Sequence, residues 1–158
     1  MTTMVCAPRL KHFLDLYQVP YELIAHEPAY SSQATAEVLH VPGKDLAKSV
    51  VLRGKSQTYL AVLPASHQVD MDRFARLAGE PVCLATETEI ADLFPDCELG
   101  AIPPFGRLYG LPVYVDVSLA TDAQIAFPAG THRDSVLMRF DDFQGLALPE
   151  ICSFAKKS

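Results

Sequence analysis

The sequence has no uncharged apolar stretch approaching the roughly 18–20 residues that a membrane span requires. It also lacks an excess of basic charge: 19 Asp and Glu against 13 Lys and Arg leave a formal charge of −6. Proteins that coat long nucleic acid displace condensed counterions with Lys and Arg, so this balance argues against extended binding to DNA. A pocket for a single nucleotide stays open, because one well-placed cation suffices there. No CxxC pair occurs among Cys6, Cys83, Cys97 and Cys152, and His12, His26, His40 and His67 show no ligand spacing. No metal and no cofactor are therefore expected, and the cysteines read as mostly buried thiols of a reducing compartment. GxGxxG, P-loop and GxSxG motifs are missing too. Without an evident nucleophile, metal or phosphate loop, any catalysis here must work by positioning. Residues Met1 to Cys6 carry no basic region followed by an apolar block, and the expected setting is the cytoplasm, away from membranes.

What is present suits one folded domain spanning residues 1–158, with 49% apolar and 20% charged residues. Pro8, Leu10, Phe13, Leu14 and Tyr17 predict an amphipathic helix opened by proline. A short strand follows at 21–25, then a helix capped by Ser31 or Ser32 and ended by Val41-Pro42-Gly43. Strands at 47–53 and 58–63, joined by Gly54-Lys55-Ser56, read as a hairpin. Asp70 and Gly79 bound another helix, a brief strand occupies 82–84, and Thr86 to Glu89 form a capping box. Strands at 113–117, 125–127 and 136–140 precede a last helix capped by Asp141 or Asp142. Too few strictly alternating βα units occur for a doubly wound sheet. The expected class is α/β of the α+β type, a mixed, barrel-like sheet flanked by helices.

Three segments could carry chemistry. Gly100-Ala101-Ile102-Pro103-Pro104-Phe105-Gly106 sets two consecutive prolines between glycines. It forms either a rigid rim presenting backbone N–H donors or a stiff turn between strands. Lys48 interrupts an apolar strand on the face of Val50 and Leu52, where its ammonium either meets an anion or extends to water. Gly130-Thr131-His132-Arg133-Asp134-Ser135 offers a hydroxyl, an imidazole and a carboxylate beside a glycine turn, either to position a substrate or as a polar hairpin turn. Asp116, within Tyr114-Val115-Asp116-Val117, reads as a buried acceptor or a strand-end residue bonded to the backbone.

In order and spacing, Ala47-Lys48-Ser49-Val50-Val51, Gly100-Ala101-Ile102-Pro103-Pro104 and Ala129-Gly130-Thr131-His132 resemble the YbaK/prolyl-tRNA-synthetase-associated editing domains. The resemblance runs from the first helix to the last. It implies hydrolysis of the ester joining a wrong, small amino acid to the 3′ end of tRNA, most often proline tRNA. The implied partners are the acceptor end of aminoacyl-tRNA and prolyl-tRNA synthetase. Under it, Lys48 holds the phosphate of the terminal adenosine, and backbone N–H groups at Gly100 and Ala101 orient the ribose and the ester carbonyl. His132 completes the expected catalytic set. Ser49, Gly130, Thr131 and Ser135 are expected to contact substrate, while Ile102, Pro103 and Phe105 form part of the pocket wall. The substrate's own vicinal hydroxyl helps activate water.

Two departures concern the amino acid removed. Ser49 stands where some relatives carry Asn, and Ser135 lies near an Asp of the members that remove cysteine. The class is implied and the amino acid is left open. A non-catalytic module that binds aminoacyl ends or a synthetase, and a small-molecule ester or amide hydrolase, are the competing readings.

Overall fold

The structure, a computed structural model, describes residues 7–157; Cys6 lies outside them. Helix α1 (Pro8–Leu16) opens with proline at its first turn and buries Leu10, Phe13 and Leu14. Strand β1 (Tyr21–Ala25) follows, then α2 (Ser32–Leu39), whose N-cap Ser31 accepts the Ala34 N–H. Next come β2 (Ala47–Arg53), β3 (Thr58–Pro64) and β4 (His67–Val69). After α3 (Met71–Ala78), capped by Asp70 and stopped at Gly79, lie β5 (Cys83–Leu84) and α4 (Glu87–Leu93). The Thr86–Glu89 capping box of α4 forms as expected. The chain closes with β6 (Val113–Asp116), β7 (Gln124–Thr131), β8 (Asp134–Arg139), α5 (Phe140–Ala147), β9 (Glu150–Cys152) and β10 (Ala155–Lys157). No helix among the described residues is long and apolar enough to cross a membrane.

The fold is mixed α/β, as expected, but the strands do not close into a barrel. They divide into a β5-β2-β3-β6-β9 sheet, a β1-β8-β7 sheet and a β10-β4 pair. In the largest sheet β3–β6 and β6–β9 are parallel and the other pairs antiparallel. An isolated parallel bridge, Leu46 to Ala126, ties the start of β2 to β7. The ladder does not continue from it: two residues on stands Pro128, which has no N–H to donate, and the register of β7 shifts between Pro128 and Thr131.

Side-chain alternation sorts β2. Ala47 and Val51 enter the main core with Leu10, Phe13, Phe105, Phe127 and Phe143, whereas Leu52 joins a second cluster with Tyr59, Phe74 and Phe154. Asp116 proves to be both buried and backbone-bonded, accepting N–H groups from Phe154 and Ala155. Burial opposes its ionisation, but the Ser118 hydroxyl and these backbone donors hold its carboxyl below the usual range.

Two further expectations need correction. Helix α5 begins at Phe140, with Arg139 as N-cap and no side-chain cap. Asp141 and Asp142 lie in its first turn, where carboxylates face the positive end of the helix dipole. The cysteines are not mostly buried, since Cys83 is exposed and Cys97 and Cys152 are half-buried.

Candidate active site

The β7–β8 turn and the 98–101 loop clasp each other through their backbones. Gly130 N–H donates to the Ala101 carbonyl at 3.0 Å, Glu98 N–H donates to the Gly130 carbonyl at 2.8 Å, and the Glu98 carboxylate accepts the His132 N–H at 2.7 Å. Gly130 has φ +94°, and a Cβ there would come within 2.7 Å of the Ala7 side chain. Only glycine fits where the chain before α1 crosses this turn. Within the turn, Thr131 donates its hydroxyl proton to Asp134 at 2.7 Å.

A third segment, between β1 and α2, lies along the same turn. His26 N–H donates to the Arg133 carbonyl and Ala29 N–H to the His132 carbonyl. His132 Nδ1 stands 3.2 Å from the Ala29 carbonyl. A carbonyl only accepts, so Nδ1 carries the proton and Nε2 of the neutral ring is left as an acceptor. The ring lies against exposed Tyr30, with centroids 4.9 Å apart.

Where the three segments meet is a crevice of about 170 Å³, lined by His26, Ala29, Thr35, Gly100, Ala101, Pro128, Thr131, His132 and Ser135. It is a slot in which no water-sized sphere fits. A larger hollow of about 670 Å³ runs along α1 beside Arg9 and Arg107, but it gathers none of the catalytic or substrate-contacting residues expected from sequence.

The structure thus brings together Gly100, Ala101, Thr131, His132 and Ser135, with Gly130 behind them. It does not bring Ile102, Pro103 and Phe105 to the lining. All three are buried, and Ile102 and Phe105 belong to the main core. Phe105 packs on Phe13, Phe127 and Phe143. The prolines stiffen a core loop, so the expected rim is limited to Gly100 and Ala101. Even there the Ala101 N–H is already bonded to the Glu98 carbonyl at 3.1 Å.

Lys48 does not line the crevice. It lies on the Val50 and Leu52 face of β2, and its Nζ reaches the Ala65 carbonyl at 3.5 Å. No carboxylate among the described residues lies within 4.0 Å of that ammonium. Burial pushes its pKa below the ordinary lysine value. A half-buried cation without a counter-charge is costly until an anion arrives. The isolated Leu46–Ala126 bridge brings the start of β2 beside β7, and Pro128, further along β7, is part of the lining. Ser49, on the opposite face of β2, has a buried Oγ with no hydrogen-bond partner among the described residues.

Four lining residues escaped the sequence reading: His26, Ala29, Thr35 and Pro128. The most consequential is His26, whose Nε2 lies 2.9 Å from the Ser135 Oγ, 109 residues away. No local spacing could have signalled that pair.

Residues 26–146 match the model of the aminoacyl-tRNA editing domain. The multifunctional Ser/Thr-tRNA deacylase ProXp-y of Escherichia coli (strain K12) is 30% identical over 154 residues, covering 94% of this chain and 92% of the relative. Among solved structures, a candidate trans-editing enzyme for prolyl tRNA synthetase aligns with a TM-score of 0.85 at 20% identity, over 98% of this chain and 99% of that one. The hypothetical protein APE2540 aligns with a TM-score of 0.86 at 16% identity, over 94% and 99%. At these identities the two structures speak to the fold.

Proposed function

The chain belongs to the aminoacyl-tRNA editing domain family, and from that premise we propose that it is a trans-editing hydrolase, residues 1–158 acting as one domain on mischarged aminoacyl-tRNA. The observation that carries this reading is the convergence of Gly100, Ala101, Thr131, His132 and Ser135 on one narrow crevice within a chain that aligns along 94% of its length with a deacylase. The substrate we infer is proline tRNA bearing a small non-cognate amino acid, met in the cytoplasm, with prolyl-tRNA synthetase as the enzyme whose errors are corrected.

The reaction needs little covalent help from the protein. An aminoacyl ester is an activated bond, and orientation with stabilisation of the developing oxyanion supplies a useful acceleration. Water adds to the ester carbonyl, the acyl–oxygen bond breaks, the ribose oxygen takes up a proton, and free amino acid leaves. In this scheme Lys48 grips the phosphate of the terminal adenosine, which gives its half-buried ammonium the counter-charge it lacks. The bare Gly100 backbone receives the ribose and the ester. His132, its Nδ1 proton held by Ala29, turns an Nε2 lone pair toward the reacting hydroxyl groups. The narrowness of the crevice, in which no water-sized sphere fits, acts as the sieve. An aminoacyl side chain enters only as the half-exposed mouth gives way, and a bulky one is refused.

A panel of proline tRNAs charged with alanine, serine, threonine, cysteine and proline tests the proposal. The expected result is hydrolysis of one or more small non-cognate esters, with prolyl-tRNA spared. Binding to the panel without turnover of any ester contradicts it and favours a non-catalytic module.

A further inference from the structure

Among the described residues Tyr30 is the most exposed large hydrophobic side chain, at 74%, and the deacylation scheme gives it no task. We propose that its ring is a stacking platform for the nucleobase at the 3′ end of the tRNA, holding the terminal adenine just outside the crevice. This rests on the deacylase reading and adds to it a base-binding site.

A lone exposed aromatic is ordinary on a protein surface. This one is set apart by where it is anchored. Its centroid lies 4.9 Å from that of the His132 imidazole, with the two planes inclined by 48°. Ala29, the residue before it, meets His132 twice: its N–H donates to the His132 carbonyl at 2.9 Å, and its carbonyl faces His132 Nδ1 at 3.2 Å. Ser31, the residue after it, accepts the Ala34 N–H at 3.0 Å as the N-cap of α2. The Ser31 carbonyl also accepts the Thr35 N–H at 2.9 Å and its hydroxyl at 2.8 Å. A tyrosine on backbone pinned from both sides has little freedom left to lose when a ligand covers it.

Two properties of the substrate direct a base to this ring. In ribose the carbon that carries the base is bonded to the carbon that carries the 2′ hydroxyl. A base therefore lies beside the hydroxyl groups that His132 faces. No water-sized sphere fits the crevice, so the flat base stays outside, at the mouth. Stacking asks only for a π face, and Gly100, Ala101 and Thr131 offer none. The open side of Tyr30 does. With a formal charge of −6 the chain has no broad electrostatic grip on the acceptor end, which leaves more of the binding to a contact of this kind. Tyr30 touches the base and is a binding residue.

The experiment places one amino acid, the one hydrolysed fastest from proline tRNA, on three carriers. These are the tRNA, adenosine 5′-monophosphate, and 1,4-anhydroribitol 5-phosphate, which keeps the sugar, its vicinal hydroxyls and the phosphate but has no base. Values of kcat and KM are measured for wild type, Tyr30→Ala, Tyr30→Leu, Tyr30→Phe and Tyr30→Trp. Tyr30→Ala and Tyr30→Leu are expected to raise KM for the tRNA and adenosine esters about tenfold, the worth of one stacked base. Leucine supplies apolar bulk without a π face, and so separates stacking from mere cover over His132. Tyr30→Phe and Tyr30→Trp restore the π face and should recover most of the affinity. The loss of kcat/KM in Tyr30→Ala should be about tenfold smaller on the base-free ester than on the adenosine ester. Because the ring is exposed, its truncation should move the unfolding midpoint little, and thermal unfolding of each variant checks this.

A ring that only braces His132 would lower kcat on every carrier alike, with equal losses on the adenosine and base-free esters. That result overturns the inference, and so does an unchanged KM for the tRNA ester in Tyr30→Ala; deacylation stands in both cases. Hydrolysis of no ester by the wild type, those of tRNA included, means that the deacylase reading itself has failed, and the inference falls with it.

Discussion

Gly100 adopts φ +85°, and a Cβ built on it would stand 3.3 Å from His132 Cε1. Two costs therefore meet at one position. An L-residue in left-handed backbone loses roughly 1–2 kcal/mol, and the methyl group presses on the imidazole proposed to act on the ester. Gly100→Ala should lower unfolding stability by about 1 kcal/mol and kcat/KM on a mischarged tRNA by a larger factor, about tenfold or more. Denaturant unfolding and deacylation rates measured on the same preparation separate the two effects. Part of this was legible in the sequence, because the glycine-proline segment marked itself by composition. How far the wall extends was not legible. Ile102 and Phe105 look no different, residue by residue, from pocket-lining apolar side chains, and only the packing of Phe105 on Phe13, Phe127 and Phe143 assigns them to the core.

At the scale of elements, the β2–β3 hairpin owes its turn to a distant partner. Glu80, just past the α3 stop at Gly79, accepts the backbone N–H groups of Lys55 and Ser56 and the hydroxyls of Ser56 and Tyr59. The Ser56 and Tyr59 hydroxyls and the Ser56 backbone N–H pull its carboxyl from the usual 4.5 down to about 2. A carboxyl whose folded pKa is depressed contributes stability that is complete above its unfolded pKa and lost as pH falls through the folded one. The stability difference between wild type and Glu80→Gln should therefore be full above about pH 4.5 and vanish as pH approaches 2. Unfolding curves recorded across that range check it, and a difference independent of pH contradicts the assignment. The hairpin itself was readable from two β-branched runs around Gly54-Lys55-Ser56, since those signals are local. Strands β4, β9 and β10 were not. Each is 3 residues long, and β10 is Ala155 to Lys157, two of whose residues are lysines. They are strands because β10 pairs with β4 and β9 with β6, which no short window contains.

For the whole molecule, the sheets are held less by ladder bonds than by the apolar cluster between them. Phe105 is fully buried among three aromatic rings contributed by α1, β7 and α5. Phe105→Ala should cost about 3–5 kcal/mol, read as a lowered denaturant midpoint with an unchanged slope. A loss under about 1 kcal/mol would mean that the core is not organised around that ring. The same packing places Gly100 and His132 against each other from loops 32 residues apart in sequence, and it leaves Lys48 as a half-buried cation that no carboxylate among the described residues neutralises. The measurement closest to the central claim is amino-acid release from mischarged proline tRNA by wild type and Lys48→Ala side by side. The account predicts hydrolysis by wild type far above buffer, and a loss of about thirtyfold or more in kcat/KM for the variant, the cost of leaving a phosphate without its cation. No release by wild type, or full activity in Lys48→Ala, would contradict it.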